Sequence, residues 1–169
     1  MPDSKQPIFE KDISMLKKHL AAMLLIAIGA AAPLGAASVS FLVIETGIPA
    51  DIPAPQYSIL WENCLLDVFY ESGHIVSNAP MLRLAVIPAD GFPDEAESNI
   101  REAINGGMEY FFIAIVKFPG NSVSMRLFKA RSRTMIDEQS YTGKLPINMR
   151  EERESIRNAI RVIAARVME

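Results

Sequence analysis

Residues that carry chemistry are scarce in this chain of 169 residues. It holds one cysteine, Cys64, and two histidines, His19 and His74. A lone cysteine excludes an internal disulfide, so oxidation gives the fold no staple. One cysteine and one histidine beyond the amino-terminal region cannot build a closed structural zinc site. Cys64 reads as a small, buried, apolar residue on a helix. No Walker loop is present, no G-x-G-x-x-G opens a helix after a strand, and no G-x-S-x-G surrounds a serine. Asn105-Gly106-Gly107 reads as a helix end. Two acidic clusters, Asp94, Glu95 and Glu97, and Glu151, Glu152 and Glu154, suit helix starts, where the helix dipole favours acids. His74 directly follows a helix-closing glycine and is expected at the surface or a strand edge. The expectation is therefore a protein that is not an enzyme, with no catalytic residue, cofactor or metal.

Charge is thin as well. The formal net charge is −3. Residues 1–37 hold four lysines against three acids, a net of +1, which leaves −4 on the remainder. A nucleic-acid binder would show a basic face, so this mild acidity excludes that class.

What the chain does have is one long apolar run, Leu20 to Ile44, without a charge. Lys17 and Lys18 precede it, Leu20 to Ile28 are strongly apolar, and Ala30 to Ser38 are small residues interrupted by Pro33. A basic start, a short apolar core and small residues at the cut are the parts of a secretory signal. A cut after Ala37 places Gly35 and Ala37 at the two positions that must be small. A cut after Ser38 places Ala36 and Ser38 there. Met15, followed by two lysines, makes a cleaner start than Met1, so residues 1–14 read as an over-long reading frame. The organisation expected is a signal over 1–37 and one domain over 38–169, about 130 residues, an ordinary domain size. The competing reading is a retained inner-membrane anchor, since roughly 20 apolar residues span a bilayer. Against it stand Pro33, the alanine-rich second half, and the β-branched and aromatic Val39-Ser-Phe-Leu-Val-Ile, which reads as a strand.

Along the rest of the chain, Val39–Glu45 predicts the first strand and Thr46–Pro55 a proline-rich loop. Gln56–Ser72 predicts a helix with a broad apolar face: Ile59, Leu60, Trp61, Cys64, Leu65, Val68 and Phe69. Gly73 closes it. His74–Ser77 predicts a short strand, and Met81–Ile87 a strand or extended edge interrupted by Arg83. Pro88–Pro93 reads as a turn. Asp94–Asn105 predicts a second helix, with Ala96, Ile100, Ala103 and Ile104 inward. Tyr110–Phe118 is apolar on both faces until Lys117 and belongs in mid-sheet. Phe118-Pro119-Gly120-Asn121 predicts a tight turn with proline at its first central position. Ser122–Lys129 alternates, with Val123, Met125 and Leu127 on one side and Ser124, Arg126 and Phe128 on the other, as a half-exposed antiparallel strand does. Thr134–Tyr141 suits an edge strand. Asn148 caps a last helix in a capping box with Glu151, and Ile156, Ile160, Ile163 and Val167 form its apolar stripe. The fold class is α/β, close to α+β: a mixed sheet of about five strands packed on three helices, in the order β-α-β-α-β-β-β-α.

Four stretches carry a family resemblance. ILWENCLLDVFYESGHIVSNAP, EAINGGMEYFFIAIVKF, SVSMRLFKARSRTMIDEQSYTG and the closing RNAIRVIAARV resemble, in turn, the opening helix and short strand, the helix-glycine-strand unit, the hairpin and the last helix of a known group. That group is the amino-terminal domain of TolB, with the similar envelope domains of the CsgG and LpoB kind. The resemblance covers roughly residues 39–168. It implies a periplasmic domain that binds other cell-envelope proteins and does no chemistry.

The function expected is an exported, non-enzymatic adaptor or accessory subunit of an envelope assembly, acting through protein–protein contacts. Membrane association follows only if the signal stays uncut. The rivals are a small-ligand-binding periplasmic protein and a single-pass anchored structural protein. Candidate partner-binding residues are Glu45 at the end of strand one, His74, and the basic concentration Arg126, Lys129, Arg131 and Arg133 around the hairpin. A solvated hairpin with guarding charges accounts for that concentration equally well. The Thr134–Tyr141 edge offers a place for a partner strand to join the sheet.

Overall fold

The computed structural model describes residues 35–49, 55–85, 87, 92–119, 122–143 and 148–168. The apolar segment before Gly35, and with it the expected signal and start site, lies outside the described residues.

Six strands form one sheet: β1 (Ser38–Thr46), β2 (Ile75–Asn78), β3 (Leu82–Arg83), β4 (Tyr110–Lys117), β5 (Ser122–Lys129) and β6 (Thr134–Thr142). Their spatial order is β2-β1-β4-β5-β6, with β3 also paired to β1. β1 pairs in parallel with β2, β3 and β4. β4, β5 and β6 form an antiparallel meander. Among the described residues the α-helices are α1 (Gln56–Glu71), α2 (Glu97–Asn105) and α3 (Met149–Ala164). This is the mixed α+β sheet expected from sequence. One strand is shorter than the apolar 81–87 stretch suggested: only Leu82 and Arg83 pair with β1.

The sheet has an apolar core on each face, because inward residues alternate along every strand. On one face, α1 and α3 pack on Val39, Phe41 and Val43 of β1, Phe112, Ala114 and Val116 of β4, and Val123, Met125 and Leu127 of β5. On the other face, Ala96 and the α2 residues Ile100 and Ala103 cover Leu42, Ile44, Phe111, Ile113, Ile115 and Phe128. Each of the valine, leucine, isoleucine, phenylalanine and methionine side chains among these, fully buried, contributes roughly 1.5–3 kcal/mol. β4 is buried from Phe111 to Val116, as its uninterrupted apolar run requires in mid-sheet.

Helix ends follow local chemistry. Gly73 (φ 81°) ends α1 and Gly107 (φ 80°) follows α2, in the left-handed region that glycine enters without a Cβ penalty. The Asn148 side chain accepts the Arg150 N–H and caps α3. Glu71 and Asp67 of α1 both bind Arg157 of α3, which fixes the helices side by side.

Three expectations change. Ile59 is 43% exposed, because it lies on the crest of α1 away from the sheet. β5 is not half-exposed: Val123 to Phe128 are all buried, since polar Ser124 and Arg126 are enclosed as well. The Phe118–Pro119 bond is cis, and the remainder of that turn, residues 120 and 121, lies outside the described residues.

Candidate functional site

On the α2 side of the sheet, the β5–β6 half is polar. The register sets Ser124 opposite Ser140 and Arg126 opposite Glu138. Arg126 Nε donates to Glu138 Oε1 at 2.8 Å, and Ser124 Oγ donates to the same oxygen at 3.0 Å. The Arg126 guanidinium, and after it the Ser124 hydroxyl, hold the Glu138 carboxyl below the usual carboxylate range, with Lys117 adding to the effect. Above these groups lies a cavity of about 670 Å³. Thr46, Gly47, Lys117 and Phe118 form its end and Ile87 and Ile115 its apolar wall, beside Ser124, Arg126, Glu138 and Ser140. Thr46 and Lys117 are paired residues at the carboxyl ends of parallel β1 and β4. Open sheets commonly take ligands in the crevice beyond those strand ends. Gly47 is needed there: at φ 81° it turns the chain, and a Cβ would collide with the Phe118 carbonyl oxygen.

The residues singled out from sequence go to three places. Arg126 floors this cavity and is buried. Lys129 and Arg131 are exposed at the opposite pole, on a groove of about 530 Å³ with Ile104, Met108, Glu109 and Ser132. Arg133 sits near them at φ 55° and binds Glu97 at 2.6 Å. The basic concentration in sequence is thus split: Arg126 lies mid-strand in β5, opposite Ile113 and inside the cavity, whereas Lys129 ends the strand and Arg131 and Arg133 lie beyond it. Glu45 is 1% exposed and points to the α1 side, where Arg83 Nε donates to its Oε2 at 2.6 Å. Arg83 also donates to the Pro49 carbonyl, tying β3 to the loop after β1. His74, expected at the surface or an edge, is buried against Phe69, and burial pushes its imidazole pKa down. Buried Cys64 has its thiol raised to about 11 by burial, with Arg153 opposing.

A further polar contact ties the other face together. Tyr57 of α1 and Tyr141 of β6 both donate to Glu152 Oε1, at 2.9 and 3.0 Å. Burial first, and then the shared carboxylate, raise the Tyr141 hydroxyl to about 12, and Tyr57 is raised further still.

Sequence reading missed Lys117, Glu138 and Ser140; Thr46 and Gly47 belong to the loop after strand one, which it offered as a binding surface. One signal was available. Ser124 and Arg126 share a face of β5, and a hairpin partner must set polar residues of the next strand opposite them.

No protein-family model matches the sequence, and no curated protein does. Several solved structures are similar. The PelC dodecamer from Paraburkholderia phytofirmans is 11% identical with a TM-score of 0.47, over 79% of this chain and 88% of that one. The LpoB carboxy-terminal domain from Escherichia coli is 12% identical with a TM-score of 0.42, over 73% of this chain and 93% of that one. TolB from Acinetobacter baumannii is 12% identical with a TM-score of 0.43, over 77% of this chain but 28% of that one. LpoB and TolB are two of the kinds of domain that the sequence resembles.

Proposed function

We propose that the chain is an exported, non-enzymatic domain that serves as an adaptor or accessory subunit of a cell-envelope assembly. It holds partners by adding their strands to its sheet. The observation that carries this reading is β6. It is nine residues long, it closes one side of the sheet order, and its side chains are exposed or half-exposed throughout. Edge strands are ordinarily guarded by lysine, proline, other charges, bulges or shortness. Thr134–Thr142 has no lysine or proline, and its guards, the bulge at Ile136 and the charges of Asp137 and Glu138, lie in its first half. The regular second half, Gln139 to Thr142, is the template for another chain.

The side chains best suited to nucleophilic or acid–base work are engaged elsewhere. The Cys64 thiol is buried and raised to about 11, and His74 is buried and pushed towards neutrality. The export half of the reading rests on the Lys17-Lys18 start, the apolar run and its small-residue end.

The test uses two proline variants of the full chain, Gln139→Pro and Ser140→Pro. Successive residues of an edge strand alternate between ladder N–H groups and outward ones, so one variant breaks the β5–β6 ladder and the other blocks only the open edge. The edge-blocked, normally melting variant is expected to lose photocrosslinks to envelope proteins from a probe at Thr142. Unchanged crosslinking in that variant overturns strand addition.

A further inference from the structure

We propose that the open edge of β6 takes a partner strand of alternating character, apolar on the side that faces α3 and hydroxyl-bearing on the other. This rests on the strand-addition reading and names the chemistry of the added strand.

The two rows of β6 side chains have different neighbours. Val123, Met125 and Leu127, in the core under α1 and α3, pair with Tyr141, Gln139 and Asp137, so these three β6 residues stand on the α3 side. Ser124 pairs with Ser140 and Arg126 with Glu138, which stand on the polar side. An added strand lies about 4.8 Å beyond β6, and its alternate side chains continue the same two rows.

α3 forms a shelf beside the first row. Ile156, Ile160 and Ile163 point into the core, and Arg157 reaches across to α1. Helical spacing then puts Ser155, Ala159, Val162 and Arg166 on the flank away from α1. Both ends of that flank meet β6: Ser155 reaches the Tyr141 hydroxyl, and Arg166 Nε stands 3.8 Å from Asp137 Oδ2. α3 therefore runs antiparallel to β6, and between the two contacts Ala159 and Val162 overlook Gln139, where the regular half of the edge begins. The Gln139 amide donates to both Asp137 carboxylate oxygens at 3.3 Å, along its own strand.

Val162 is 61% exposed, and Ala159 packs on the core only in part. In a strand one place beyond β6, every second side chain comes up against this pair. An apolar side chain there removes the valine surface from water, whereas a charged one loses its own water to valine and alanine. On the other row, Ser140 and Thr142 offer hydroxyls, and Thr and Ser pair favourably across neighbouring strands. A second copy of this chain is the wrong occupant. Pairing β6 to β6 in one continuous sheet brings Asp137, Gln139 and Tyr141 to the shelf, which is a polar row. The occupant is a strand of another protein.

The experiment titrates the full chain with two short peptides, capped at both ends and flanked by lysines for solubility. One alternates threonine with valine, and the other has serine in place of every valine. The valine peptide is expected to bind at least about tenfold more tightly, the effect of burying one apolar side chain. In Val162→Gln that ratio is expected to fall below about threefold with melting unchanged, and in Val162→Ile to persist. The edge-blocked proline variant is expected to bind neither peptide. Equal binding of the two peptides overturns the proposal, as does a ratio that Val162→Gln leaves untouched, binding that survives the edge block, or binding of neither. Strand addition itself stands or falls on the crosslinks from Thr142, so the two ideas fail separately.

Discussion

Arg126 and Glu138 face each other across the β5–β6 pair, yet they are enclosed to very different degrees. The arginine side chain is 5% exposed and the glutamate 39%. Removing one partner is therefore unlike removing the other. Glu138→Gln leaves a buried cation without this counter-charge and is expected to cost on the order of 2–3 kcal/mol. Arg126→Gln leaves a carboxylate that can turn to water and is expected to cost about 1 kcal/mol less. Urea denaturation of both variants checks the order, and a reversed order removes the asymmetry argument.

The same pair sets a pH dependence. The Glu138 carboxyl is depressed, chiefly by Arg126, so its contribution is fully present above the ordinary carboxylate pKa. It is lost as pH falls through the lower, folded-state value. The stability difference between the native chain and Arg126→Gln is expected to shrink from pH 6 towards pH 3, measured by thermal melting.

Tyr57 and Tyr141 give the opposite sign. Their folded-state values lie above the unfolded one, so their contribution is complete below about pH 10 and is lost as pH rises through the folded-state values. Phenolate absorbance is expected to show both ionising late, Tyr141 near 12. Tyr57→Phe and Tyr141→Phe are each expected to cost roughly 1.5–3 kcal/mol, one hydrogen bond to a charged acceptor. Early ionisation of Tyr141 in the folded protein contradicts the shared contact with Glu152.

Two glycines with nearly the same φ should respond differently to alanine. At Gly73 a Cβ meets open space, and the cost is that of the left-handed backbone alone, roughly 1–2 kcal/mol. At Gly47 the Cβ also strikes the Phe118 carbonyl. Gly47→Ala is expected to cost at least twice as much and to disturb the cavity end. Equal melting temperatures for the two variants would show that the loop simply moves away.

Cys64 offers a probe of opening. A thiol raised to about 11 has roughly a hundredfold less thiolate at pH 8 than an ordinary cysteine. Alkylation of the folded chain is expected to follow unfolding rather than direct attack. Labelling that proceeds at the same rate with and without denaturant rules this out.

The fold was legible where apolar period and glycine punctuation agree, as in α1 with Gly73 and in the all-apolar β4. The polar cavity was not legible, because its residues come from β1, β4, β5 and β6, and only pairing register brings Arg126 to Glu138. The basic hairpin misled for a related reason. Arg126 and Arg133 are close in sequence, but Arg126 faces the cavity from the middle of β5, while Lys129 ends that strand, about 10 Å on at roughly 3.3 Å per residue, and Arg131 and Arg133 lie in the turn beyond it. His74 looked like an edge residue because sequence does not show that the α1 end folds over it.

Chains beginning at Ser38 and at Val39 differ in what they can hold. The Ala37 carbonyl accepts the Ile75 N–H at 3.0 Å, Ser38 Oγ donates to the Gly107 carbonyl at 3.0 Å, and the Glu109 N–H donates to both Ser38 Oγ and the Ser38 carbonyl, at 3.1 and 3.0 Å. A chain produced to begin at Ser38 lacks only the first contact, and one produced to begin at Val39 lacks them all, a difference on the order of 1–3 kcal/mol. Thermal melting is expected to rank the chain beginning at Ser38 above the one beginning at Val39. Equal melting temperatures contradict that ranking.

β1 is flanked on both sides, by β2 and β3 on one and β4 on the other, and it begins directly where the small-residue stretch ends. No two of those neighbours touch in the sheet without it. Anything that keeps the residues around Ala37 stretched out or threaded elsewhere withholds the keystone of the whole assembly. The sheet is thus complete only once its amino end is seated.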